Sequence, residues 1–235
     1  MKTKDRFKGF DWMKPILNNE APIIEIIGCG GIGSNLAYLL GRIGYKLEIS
    51  DFDIVEPHNL GGQFFANNQI NIKKVDAIRG VLKAFTSDSD YNKYRDERKN
   101  KISRRYTVMA VDNQSTRNNL FNHWKESLLN DPDNKDNTFL IDASLTGETY
   151  HLYYLDKRTS EEYILKYKEY LDKIIKNEIG CTVKQTSHIA MRLAADITVL
   201  INNYFSNKIN KKDFRKLYFH KSFNAVLNKD EIEYY

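Results

Sequence analysis

The segment Gly28-Cys29-Gly30-Gly31-Ile32-Gly33-Ser34 carries the clearest chemical signal in the chain. Glycines at this spacing let the backbone turn tightly and come close to a phosphate. A helix starting behind them offers free N–H groups and a partial positive charge. The plainer use of such glycines is close packing of a helix on a strand. Asp51 closes the next strand, where a carboxylate can hydrogen-bond ribose hydroxyls. Asp53, Glu56-Pro57-His58-Asn59, Gln63 and Lys73-Lys74 follow, and Asp112 stands at the end of a third strand. A dehydrogenase has no particular use for this set. A triphosphate does: amide side chains and a lysine bind phosphate oxygens, and a carboxylate holds Mg²⁺ with its waters.

These residues need a framework, and the local pattern supplies one. Ile23–Gly28 is a short β-branched run suited to a central parallel strand, with Pro22 just ahead of it. Behind the glycines, Leu36, Leu39, Leu40 and Ile43 fall at helical spacing over Ser34–Ile43, and Gly44 ends that helix. Lys46–Ser50 is the second strand, which completes a right-handed βαβ unit. A polar loop over Glu56–Asn71 leads to a helix over about Lys73–Phe85. The charged stretch Ser87–Lys101 is expected to hold little core. Tyr106–Val111 is a third strand, closed by Asp112-Asn113, and brings Asp112 to the same crevice by the switch-point rule. Helix Thr116–Leu129, loop Asn130–Asn137, strand Thr138–Asp142 and strand Tyr150–Leu155 follow. Thr159-Ser160-Glu161-Glu162 reads as a capping box for a helix carrying Tyr163, Tyr167, Tyr170 and Leu171 on one face. A long helix is expected over about Lys184–Tyr204, then a β-rich tail over Leu217–Val226.

Composition narrows the setting. The 235 residues carry 36 Lys+Arg against 31 Asp+Glu, a net charge of +5, which suits anionic ligands without demanding nucleic acid. Residues 93–105 hold seven basic and two acidic side chains, and aromatics do not alternate with the basic ones, so they read as a solvated loop and strand edge. No apolar run approaches the ~18 residues of a membrane span, and the N-terminus lacks a secretion-signal core, which points to a cytoplasmic protein without a membrane partner. The two cysteines, Cys29 and Cys181, make neither a zinc site nor a disulfide framework by themselves. Cys29 within the glycine turn reads as packing. Cys181 precedes a helix with Lys184 and His188 close by, a setting that lowers a thiol pKa; its plainer reading is a small buried residue at a helix start.

Taken in order, Gly28-x-Gly-Gly-x-Gly-Ser34, Asp51-x-Asp53-x-Val-Glu-x-x-Asn59-Leu-x-x-Gln63, Lys74, and Asp112-Asn113 with Arg117 resemble the ThiF/MoeB/HesA adenylyltransferases, relatives of the ubiquitin-activating enzymes. The resemblance covers about residues 20–145 closely and the long helix more loosely. It implies an α/β, Rossmann-like fold: a mostly parallel sheet with helices on both faces, carried here into an antiparallel C-terminal extension. One domain over residues 1–235 is expected, with its core at about 20–145 and the extension at about 146–235. It also implies ATP and Mg²⁺, a homodimer, and adenylation of the C-terminal glycine carboxylate of a ubiquitin-like or sulfur-carrier protein.

Carried over by motif, Gly28, Gly30, Gly31 and Gly33 would cradle the nucleotide and Asp51 would bind the ribose. Asp53, Asn59, Gln63, Lys74 and Asn113 would complete the nucleotide site, and Asp112 would hold Mg²⁺. An N-terminal arginine, here Arg6, would reach the partner subunit's site; a solvated terminal charge is its other reading. In some relatives a cysteine after the core takes the acyl group as a thioester or enters sulfur transfer, the role Cys181 would have. One departure stands out: family members often carry Arg directly before the glutamine, where this chain has Gly62. Two other functions stay open at this point, an NAD(P)-binding Rossmann oxidoreductase and a non-catalytic scaffold that has kept the fold.

Overall fold

The structure is a computed structural model and describes residues 9–17, 20–84, 93–96, 101–176, 186–211 and 215–235. A short helix α1 (Lys14–Leu17) precedes β1 (Ile23–Ile27), whose β-branched run is buried on both faces. Helix α2 (Gly31–Ile43) begins three residues ahead of the expected Ser34 and ends at Gly44, which takes φ 106°. Strand β2 (Lys46–Asp51) and helix α3 (Lys74–Leu82) follow, joined by a crossover that makes single 3-10 turns at Pro57–Gly61 and Asn67–Gln69. The charged stretch expected to hold little core contains a strand, β3 (Lys93–Asp96). Then come β4 (Tyr106–Met109) and α4 (Gln114–Trp124), which widens into a π-helical turn over Lys125–Leu129. Strand β5 (Phe139–Thr146) runs past the expected Asp142 into a hairpin with β6 (Thr149–Leu155). Helices α5 (Glu161–Lys176) and α6 (Ser187–Asn210) lead to the final hairpin, β7 (Tyr218–Asn224) and β8 (Lys229–Tyr234).

The eight strands form one sheet in the order β3-β2-β1-β4-β5-β6-β7-β8. The pairs from β3 to β5 are parallel and those from β5 to β8 are antiparallel. The fold is therefore α/β, with a Rossmann-like parallel half extended by an antiparallel one. Helices cover both faces. Leu36 and Leu40 of α2, Ile78 and Leu82 of α3, and Leu193, Ile197, Leu200 and Ile201 of α6 share one core with Ile24, Ile26 and Ile141. Phe121 and Trp124 of α4 and Tyr167 and Leu171 of α5 fill the other, against Ile27, Met109 and Leu140. Helix α6 extends to Asn210 rather than Tyr204, so its apolar stripe gains Phe205.

Two details depart from the sequence reading. Thr159 does not cap α5: the helix starts at Glu161, and Thr159 Oγ1 instead accepts the Asp156 N–H at 3.0 Å. The parallel half also buries two carboxylates side by side, since Glu25 and Glu48 pair in register. Glu25 Oε2 accepts from Ser103 N–H at 2.9 Å and Thr107 Oγ1 at 3.1 Å, while Arg104 Nε reaches Glu48 Oε2 at 2.6 Å. Buried charges persist only with such partners.

On the antiparallel half, His151 Nδ1 and His220 Nε2 lie 3.2 Å apart, so one ring donates and the other accepts. Burial, then the neighbouring His151, pushes the His220 pKa from 6.5 down to about 4. Glu233 and Glu231 on β8 oppose that shift. The folded state thus binds fewer protons here than the unfolded chain, so stability rises with pH from about 4 to about 6.5 and is lost as pH falls through that window. Denaturant titrations at pH 4.5 and 7 should therefore show a steeper pH dependence in the native chain than in His220→Gln. Equal slopes would remove the assignment.

Candidate active site

The glycine turn is built by contacts that no side chain could share. Gly28 takes φ 96°, and a Cβ there would lie 2.5 Å from the Ala110 carbonyl oxygen. A Cβ on Gly33 would lie 1.9 Å from the Gly28 carbonyl oxygen. Gly28 N–H donates to Ser50 O at 2.9 Å, and Ala110 N–H donates to Ile27 O at 2.8 Å. The turn is thus pressed between the carboxyl ends of β1, β2 and β4. Gly30 differs: a Cβ there would meet nothing within 4 Å, which leaves its side of the backbone open to a ligand. The first helical bond of α2 runs from Ser34 N–H to Gly30 O at 3.0 Å. The N–H groups of Gly31, Ile32 and Gly33 therefore have no helical acceptor.

Asp51 ties this turn down. Its Oδ2 accepts the Cys29 N–H at 2.6 Å and its Oδ1 the Asp53 N–H at 2.8 Å. Burial pushes the Asp51 carboxyl above the usual carboxylate range, against the pull of those N–H donors and of Lys74. The same burial, with Asp51 beside it, pushes the Cys29 thiol up, in line with a packing role. Asp53 receives Lys74 Nζ at 2.9 Å, and its carbonyl accepts the Lys74 N–H at 2.9 Å. The Lys74 side chain is only 8% exposed, whereas Asp53 is 48% exposed. An ammonium that is nearly buried on one open carboxylate can add an anionic ligand on its exposed side.

The crossover residues are held less directly. Asn59 Oδ1 accepts the Glu56 N–H at 2.8 Å, so part of its amide closes its own turn. Ser34 Oγ donates to Gly30 O at 2.6 Å and accepts the Phe64 N–H at 2.9 Å, which fastens the crossover to the glycine turn. Gln63, next to that bond, has a buried Oε1 with no partner. A half-turn of its terminal amide presents Nε2 to the same space. A cleft of about 240 Å³ beside it is lined by Gln63, Phe64, Phe65, Ala66, Gln69 and Val81.

Asp112 is exposed, one residue beyond Val111, whose nitrogen lies 3.2 Å from the position of a Gly28 Cβ. Asn113 caps α4: its Oδ1 accepts the Thr116 N–H at 2.9 Å and Thr116 Oγ1 at 3.1 Å. Beneath them lies Arg117, which pairs with Asp142 Oδ1 through Nη1 and reaches the Val111 and Ala143 carbonyls through Nη2. Asp142 Oδ2 accepts the Tyr167 hydroxyl at 2.8 Å. The roles of Ser34, Asp142 and Tyr167 were not read from the sequence. Arg6 and Cys181 lie outside the described residues.

Residues 20–144 match the ThiF family. The chain belongs to the ThiF family. Among ThiF-related proteins, ubiquitin-like modifier-activating enzyme 5 of Bombyx mori is 34% identical over 103 residues, which is 42% of this chain and 24% of that protein. The same enzyme of Caenorhabditis elegans is 40% identical over 60 residues, 25% of this chain and 14% of that one. The matched stretch thus spans about a quarter or less of these curated relatives. Escherichia coli MccB, solved with ATP, superposes with a TM-score of 0.68 at 16% identity, covering 99% of this chain and 65% of that one. PaaA superposes with a TM-score of 0.68 at 14% identity, covering 99% and 68%. At such identities the likeness is one of fold.

Stability separates the glycines. Gly33→Ala should cost about 3 kcal/mol or more, because a backbone carbonyl blocks the new methyl and cannot step aside. Gly30→Ala should stay within about 0.5 kcal/mol of the native chain in denaturant titrations.

Proposed function

We propose that this chain is an ATP-dependent adenylyltransferase that activates the C-terminal carboxylate of a ubiquitin-like or sulfur-carrier protein ending in glycine. The observation that carries the reading is the meeting, at the carboxyl ends of β1, β2 and β4, of an open glycine turn, a nearly buried lysine and an exposed carboxylate. Membership of the ThiF family and the fold shared with MccB, solved with ATP, point the same way.

The donors fit the nucleotide. Gly30 leaves room for a phosphate against the backbone, the first-turn N–H groups of α2 face it, and Lys74 supplies charge. Asp51 would bind the ribose hydroxyls, and Asn59 and Gln63 would lie around the phosphates. Among the described residues no cluster of three His, Cys, Asp or Glu side chains could hold a metal by itself. Mg²⁺ binds through one or two carboxylates plus substrate phosphates, and Asp112 would hold it. Bound there, Mg²⁺ would offset phosphate charge.

The chemistry asks for alignment more than for acid–base work. A C-terminal carboxyl has a pKa of ~3.5 and is already an anion near neutral pH. Its oxygen attacks the α-phosphorus, a new C–O–P bond forms, and the bond to the β-phosphate oxygen breaks, releasing pyrophosphate. Lys74 and the α2 N–H groups offset the repulsion between the two anions. Transfer of the acyl group to Cys181, a homodimer with Arg6 reaching across, and a cytoplasmic setting extend the proposal. Exposed Met191 and Val199 on α6 offer an apolar face for a second copy. No helix among the described residues is long and apolar enough to cross a membrane.

Titration with ATP·Mg²⁺ and with NAD(P) tests the reading first; binding of NAD(P) alone would overturn it in favour of an oxidoreductase. With an acceptor ending in glycine, the native chain should catalyse pyrophosphate exchange. Lys74→Ala and Asp112→Ala should each lower it by about 100-fold or more. Gly62, where relatives often carry Arg, favours one rival, a non-catalytic scaffold. That rival predicts unchanged biological function in both variants.

A further inference from the structure

Asp112 stands in a two-residue span fixed at both ends. Before it, the Val111 carbonyl is gripped by Arg117 Nη2; after it, the Asn113 side chain is locked as the cap of α4. The Asn113 lock is local, since the cap and its acceptors lie within one turn. The Arg117 lock is not. Arg117 is 4% exposed, and its fork joins three groups, Val111 O just after β4 and Asp142 Oδ1 and Ala143 O (3.0 Å) in the middle of β5, where the parallel pairing with β4 stops. Tyr167, from α5, holds the second oxygen of Asp142 at 2.8 Å. Neither Arg117 nor Asp142 opens to solvent, so neither is available to a ligand. A planar five-donor guanidinium can make this three-way grip; a lysine ammonium, a point charge on a flexible stem, cannot reproduce its geometry.

We propose that Arg117, steadied by Asp142 and Tyr167, is a positioning residue for Asp112: it fixes the carbonyl before Asp112 and so sets where that carboxylate meets the metal carried by ATP. This rests on the reading of Asp112 as the Mg²⁺ residue. Outer partners that orient a metal ligand are worth about 10–100-fold in metal affinity. The grip acts on the turn after β4 and makes no hydrogen bond to Asp51, Lys74 or the glycine turn. Its loss should therefore weaken the Mg²⁺-dependent part of ATP binding and spare the part that needs no metal.

The test is calorimetric titration of ATP, in EDTA and across a series of Mg²⁺ concentrations, on the native chain, Arg117→Lys and Tyr167→Phe. Amide hydrogen exchange over residues 110–116 is followed on the metal-free proteins. Arg117→Lys should lose about 10-fold or more of the tightening that Mg²⁺ gives, bind ATP in EDTA within about twofold of native, and exchange faster at 111–113. Tyr167→Phe removes one hydroxyl from Asp142 and keeps the fold, so it covers the case in which Arg117→Lys fails to fold. It should shift the Mg²⁺ response in the same direction by about threefold. Equal Mg²⁺ responses in the native chain and the folded variants would overturn the proposal. So would an equal loss with and without metal, the mark of a merely structural role. A native chain whose ATP binding ignores Mg²⁺ would remove the reading of Asp112 as well.

Discussion

The approach of Gly33 to the Gly28 carbonyl sets the geometry of the whole carboxyl edge of the sheet. At 1.9 Å from a Cβ position, the first turn of α2 lies on the end of β1 with no room for a side chain. That closeness puts the first-turn N–H groups of the helix, which have no helical acceptor, at the end of β1. It also forces the chain through a positive φ at Gly28, which turns the Cys29 N–H toward Asp51. Asp51 then satisfies two backbone donors with one carboxylate, the N–H groups of Cys29 and Asp53. Its raised pKa is the cost of its burial.

Around this turn the polar groups divide into two sets with different physics. Lys74–Asp53 is half open to solvent through Asp53, and Asp112 is exposed. Arg117–Asp142–Tyr167 is sealed, each charge matched and each oxygen of Asp142 bonded. A buried ion pair gains little stability over an apolar replacement, because desolvation offsets its attraction. Its value here lies in direction. The fork ties the backbone just after β4 to the middle of β5 and to helix α4, and so fixes the carbonyl next to Asp112.

How much of this was legible in the sequence follows from the range of the interactions. The βαβ unit, the glycine turn and the helix stop at Gly44 rest on contacts within a few residues, and those patterns read directly. Strand β3 did not: Lys93-Tyr94-Arg95-Asp96 is short and charged, as befits an edge strand, and its composition says loop. The length of β5 was hidden because its last residues, Ser144–Thr146, gain their pairing only from the β6 hairpin. Asn113 has a local role that its type also announces: asparagine before a helix is a standard cap, and its Oδ1 closes the first turn of α4. Asp142 ended a predicted strand without a role, since its partners Arg117 and Tyr167 each lie 25 residues away in the chain.

Gly62 gives that local geometry a further consequence. It is buried, and its N–H closes the crossover turn on Asn59 O at 3.2 Å, with Gln63 N–H on the same oxygen at 2.9 Å. The backbone at this point is therefore formed without the arginine that relatives often carry. On the proposed reading, Lys74 and the α2 N–H groups are the positive charge that the described residues bring to the phosphates. A nearly buried ammonium suits that load, because its field is less screened than that of a surface arginine. Asp53 matters for the same reason: by holding Nζ at 2.9 Å it keeps the charge of Lys74 compensated while leaving it beside the turn. The absence of one cation thus places more weight on how that single ion pair is seated than on the number of charges around it.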